Sequence, residues 1–169
     1  AALVTKRVNV VGARNLTPVQ VSLTAQVPLG VPLARQDLDA IAERLTTVSS
    51  IETATVSRSW PNTITVTIVE RRPVLAVLQP DGYVVVDKHG VAYQTQPTLP
   101  PKVVLTDINT QDKPLLSAVA VVATALPEKL NGKVRLITAR SPDSIALLLG
   151  SGRIVTWGTG PAAGSRRSR

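Results

Sequence analysis

Two runs of period-two alternation, separated by Trp60-Pro61-Asn62, constrain this chain more than any other feature. In the first, Thr53, Thr55, Ser57 and Ser59 alternate with Ala54, Val56 and Arg58. In the second, Thr63, Thr65 and Thr67 alternate with Ile64, Val66 and Ile68. Successive side chains of a strand point to opposite faces, so each run carries one polar and one apolar face. The intervening tripeptide reads as a turn, and the whole as an antiparallel hairpin whose apolar face needs a cover.

The segment before the hairpin supplies that cover. Val8, Val10 and Val11 before Gly12 read as a short strand. Thr17, Pro18 and Gln20 form a T-x-x-Q capping box with Pro at the first helical position, and Leu16 can staple onto Val21. Pro28 and Gly30 end this helix. Asp37 caps a second, in which Leu38, Ile41, Ala42 and Leu45 share one face. The order strand, helix, helix, strand, strand closes at Pro73.

The second half is strand-rich. Expected strands are Val74 to Leu78, Tyr83 to Asp87, Val91 to Tyr93 and Val103 to Leu105. An apolar helix after Asp112 ends at Pro127. Strands at Val134 to Thr138, Ile145 to Leu149 and Arg153 to Trp157 follow. The fold class is therefore α+β: a β-α-α-β-β module over residues 1–73, a mostly antiparallel β domain with one helix over 74–158, and a tail at 159–169 expected to be disordered from its Gly, Ala, Ser and Arg content.

Composition argues against chemistry. The 169 residues contain no Cys and a single His, His89, placed in a turn, so a zinc site and a thiol nucleophile have no ligand set. No G-x-S-x-G elbow surrounds a Ser, the carboxylates are dispersed, and Gly150-Ser151-Gly152 opens a strand rather than a helix. Catalytic, cofactor-binding and metal residues are accordingly expected to be none, and the chain to be no enzyme. The net charge of +8 invites nucleic acid. However, Arg166, Arg167 and Arg169 crowd the last positions, and two Trp and two Tyr are a poor supply of stacking rings. No nucleic-acid partner is expected. No segment reaches the about 20 apolar residues of a membrane-spanning helix. With no Met at its start, the chain is expected to be a processed product or a fragment.

Trp60 reads as a residue fixing the turn before Pro61, in preference to an exposed anchor. Arg58 occupies the apolar phase of its strand. Two readings stand for it: a stem lying along the sheet, or a guanidinium facing a partner.

The pattern V-x-R-x-W-P-N over Val56–Asn62 and V-E-R-x-P over Val69–Pro73 resembles the end of the POTRA module of the FtsQ/DivIB family, in its actinobacterial form. Val8, Val10 and Gly12 match the start of that module. Val86-Asp87-Lys88-His89-Gly90-Val91-Ala92-Tyr93 is similar to the opening of the family's second, β-rich domain.

The resemblance implies a single-pass membrane protein at the division septum, its anchoring helix lying before Ala1 and this part lying outside the cytoplasm. It implies a divisome scaffold that binds FtsB and FtsL, helps recruit septal peptidoglycan synthesis and catalyses nothing. A POTRA module of an envelope assembly or secretion system is the alternative. The family's recruitment strand maps to Thr53, Val56 and Arg58. The family follows the strand at Arg153–Trp157 with a helix and a last, FtsB-receiving strand, whereas this chain continues into Gly-Pro-Ala-Ala-Gly-Ser-Arg-Arg-Ser-Arg. That leaves an unpaired edge expected at Ile154, Val155, Thr156 and Trp157, which completes the expected partner-binding set.

Overall fold

A computed structural model describes residues 3–158 and, by backbone alone, 165–168. The chain divides into two compact units, Ala1–Arg71 and Arg72–Arg169. The division falls just before the expected join, because Pro73 already opens a strand of the second unit.

In the first unit, β1 (Arg7–Val11), α1 (Pro18–Ala25), α2 (Leu38–Thr46), β2 (Ile51–Ser59) and β3 (Thr63–Glu70) follow the expected order. The sheet order is β1-β3-β2, with β1 parallel and β2 antiparallel to β3. Thr17 accepts the N–H of Gln20 while the Gln20 side chain accepts the N–H of Thr17, so the capping box forms in full. Asp37 caps α2 through the N–H of Ala40. The hairpin register sets Ala54 opposite Ile68, Val56 opposite Val66 and Arg58 opposite Ile64. These positions face the helices, where Val21, Ala25, Leu33, Ile41, Leu45, Ile51, Ile64, Val66 and Ile68 form the buried core. Each fully buried Leu or Ile contributes roughly 2 kcal/mol. The Trp60-Pro61 peptide is cis. Trp60 is 58% exposed, so it does not join the core.

The second unit is an eight-stranded sheet. Its strands are β4 (Pro73–Gln79), β5 (Gly82–Asp87), β6 (Ala92–Gln96), β7 (Val104–Thr106), β8 (Val134–Ser141), β9 (Ser144–Leu149), β10 (Ile154–Trp157) and β11 (Ser165–Ser168). The order is β11-β10-β9-β8-β7-β4-β5-β6. Hairpins make most pairs antiparallel, but β4–β7 and β7–β8 are parallel. The crossover from β7 to β8 carries α3 (Lys113–Thr124), as a parallel connection requires. The helix buries Leu115, Leu116, Val119, Ala120 and Val122 against Leu75, Val86, Ile137, Ile145, Leu147 and Val155. A smaller cluster joins Ala76, Val85, Tyr93 and Val103.

One expectation fails at the C-terminus. Residues 165–168 form a strand that pairs antiparallel with β10, Ile154 opposite Ser168 and Trp157 opposite Ser165. The tail is therefore not uniformly unstructured, and β10 is not an unpaired edge. The physical reason is the edge itself: a row of unsatisfied N–H and C=O groups accepts any chain able to extend beside it. Residues 159–164 and 169, also part of the expected tail, lie outside the described residues.

Candidate protein-interaction edges

Strand β2 forms one side of the three-stranded sheet, and among the described residues no strand pairs with its outer side. From Ala54 to Ser59 its pairing with β3 is regular, and the one register shift lies between Ile51 and Thr53. Thr53, Thr55 and Ser57 are exposed on the face away from the helices. A strand with one free side and a hydroxyl-bearing face is a template for backbone hydrogen bonding to a partner.

The expected site residues of β2 divide in character. Thr53 is exposed, opposite Val69. Val56 is half-buried and packs on the helix side. Arg58 reaches back to the segment between the helices. Its Nε donates to the carbonyl of Leu33 at 2.9 Å. One terminal nitrogen donates to Gln36 at 2.9 Å and Ala34 at 3.3 Å. These carbonyls end the 3-10 turn Leu33–Arg35, and a guanidinium fork suits several of them at once. The stem thus lies along the sheet and the charge closes a helical turn.

Sequence reasoning gave Glu70 no role of its own. It ends β3 buried, and its carboxylate accepts the backbone N–H groups of Arg14, Asn15 (2.9 Å) and Leu16 (3.0 Å). This pairs the backbone donors of the segment leading to the N-cap of α1 and ties that segment to the end of β3. The available signal was an acidic residue at a strand end paired with a Gly-containing approach to a capped helix, Gly12 to Thr17. Asp87 acts similarly in the second unit, accepting from the N–H groups of His89 (2.9 Å) and Val91 (3.0 Å).

The other expected set lies on β10. Ile154 is 45% exposed, Val155 is buried, Thr156 is exposed and Trp157 is half-buried. All four pair with β9 on one side and β11 on the other. The two sets sit in different units. Among the described residues no cluster of His, Cys, Asp or Glu could hold a metal ion, and no helix is long and apolar enough to cross a membrane.

A family model described as POTRA domain, FtsQ-type, matches residues 4–71. The cell division protein FtsQ of Streptomyces griseus is 34% identical over 165 residues, an alignment covering 92% of this chain and 79% of that protein.

The chain belongs to the FtsQ family of cell-division proteins.

FtsQ of Streptomyces bingchenggensis is 39% identical over 165 residues, covering 91% of this chain. The alignment spans 62% of that FtsQ, so the chain is shorter than the relative it matches. Among solved structures, the major extracytoplasmic domain of DivIB from Geobacillus stearothermophilus aligns with a TM-score of 0.42 at 15% identity, over 53% of this chain and 79% of that one. Within FtsQ terms, the first unit is the POTRA domain and β2 is one of its two outer strands.

Proposed function

We propose that this chain is an extracytoplasmic scaffold of the division machinery, one that engages partner proteins at sheet edges and catalyses no reaction. The observation that supports the reading is β2, which among the described residues pairs regularly with β3 on its inner side and with no strand on its outer side. Edge strands recruit partners through main-chain hydrogen bonds, and exposed side chains such as Thr53 and Thr55 select among them. The β10–β11 end of the larger sheet is the second candidate edge.

The partners proposed are the extracytoplasmic segments of FtsB and FtsL, with septal peptidoglycan synthesis components as further recruits. The protein acts at the membrane, anchored by a helix of the longer protein. A pull-down of purified FtsB and FtsL segments by the folded chain tests this. Retention that is lost when Thr53 and Thr55 are both replaced by Pro in a chain that remains folded supports the β2 edge. No retention of either segment by the folded full-length protein contradicts the reading.

A further inference from the structure

A groove of about 640 Å³ opens in the second unit, lined by Pro127, Lys129, Leu130, Lys133, Leu149, Ser151, Arg153 and Val155. It has two walls. One is the 3-10 turn Glu128–Leu130 with the residues after it. The other is the hairpin joining β9 to β10. The walls are tied together by the N–H of Gly150, which donates to the carbonyl of Lys133 at 2.9 Å, while within the hairpin the N–H of Leu149 donates to the carbonyl of Arg153 at 2.8 Å. The N–H of Lys133 in turn donates to Leu130 at 3.0 Å. One backbone bond, from Gly150 to Lys133, thus joins the two walls, and the other two bonds brace each wall within itself.

Its chemistry is lopsided. Leu130, Leu149 and Val155 supply an apolar floor. Lys129, Lys133 and Arg153 are exposed around it, and no carboxylate lines it. Three cations and no carboxylate in the lining of one apolar cleft favour an anionic occupant. The apolar floor favours an occupant that also buries hydrocarbon, and no aromatic ring lines the groove for stacking against a nucleobase.

We propose that this groove docks an acidic, amphipathic segment of a partner protein. The apolar side chains of that segment rest on Leu130, Leu149 and Val155, and its carboxylates face Lys129, Lys133 and Arg153. Such a contact works through side chains on one face of the sheet. It is independent of strand addition at β2 and survives if that reading fails.

The test uses the full chain and three synthetic amphipathic peptides of one length. They carry Leu at helical spacing with Glu, Gln or Lys at the remaining positions. Fluorescence anisotropy gives affinity, and backbone amide shifts give the place of binding. The Glu peptide should bind about tenfold or more tighter than the Gln peptide, because three rim pairs each contribute a fraction of a kcal/mol. Its affinity should fall with salt, and its shifts should map to residues 127–133 and 149–155. The triple variant Lys129→Glu/Lys133→Glu/Arg153→Glu should lose the Glu peptide and gain the Lys peptide, a swap that an unfolded chain cannot make. Equal binding of Glu and Gln peptides, shifts confined to other strands, or no swap in the variant would overturn the proposal. So would a wild-type chain that ignores the Glu peptide yet binds phosphatidylglycerol vesicles through these cations, which would make the groove a lipid site.

Discussion

The Arg58 guanidinium donates from Nε to the carbonyl oxygen of Leu33 at 2.9 Å, linking the hairpin to the segment between the two helices. With the bonds to Ala34 and Gln36, one side chain satisfies the end of a 3-10 turn. Hydrogen bonds to a charged group contribute about 1.5–3 kcal/mol. Arg58→Ala should destabilise the first unit by about 2 kcal/mol in urea unfolding, and Arg58→Lys should recover only part, since an ammonium cannot present the same fork. An Arg58→Ala protein of unchanged stability that fails only in partner binding would instead assign Arg58 to an interface.

Glu70 tests the entry into α1. Its carboxylate serves three consecutive N–H groups from Arg14 to Leu16. Glu70→Ala leaves part-buried donors without an acceptor and should cost about 2–3 kcal/mol. Glu70→Gln keeps one oxygen and should cost less. Thermal unfolding of the two variants, read against the wild type, checks the order.

Gly90 tests the seat of α3. It has φ of +81°, and a Cβ there would lie 2.6 Å from the Cα of Ser117. The Ser117 hydroxyl donates to the carbonyl of His89 at 3.1 Å, so helix and turn are already in contact. Gly90→Ala combines a left-handed backbone with a backbone clash and should lower stability by about 3 kcal/mol. An unchanged midpoint would mean that the turn is not held against the helix.

Local patterns carried the first unit. Alternation at Thr53–Ile68 was enough to set the hairpin and its faces, and Thr17 with Gln20 was enough to set the start of α1. What escaped involves partners distant in sequence. The phase of Arg58 left its role open because its acceptors lie 22 to 25 residues away and are main-chain atoms, which leave no trace in residue type. The parallel pairings β4–β7 and β7–β8 were unread because alternation shows that a strand exists but not its neighbour. Strand β11 was missed for another reason. Ser-Arg-Arg-Ser has little strand preference of its own, and its extension follows from the edge that β10 offers. Thr53 and Ile154 were expected from the family resemblance to meet partners; both are exposed on strands, but the edge expected at Ile154 is covered by β11. The cationic groove brings together residues 127–133 and 149–155 through a turn-to-hairpin contact that no linear motif encodes.

The central claim is that partners are held by backbone pairing at a sheet edge. Hydrogen exchange of the chain, alone and saturated with the FtsB and FtsL segments, tests it most directly, because an added strand protects amides that face outward before binding. The account predicts slowed exchange at alternate residues between Ala54 and Ser59, or at the β10–β11 end. Saturating binding with exchange unchanged along both edges would contradict it.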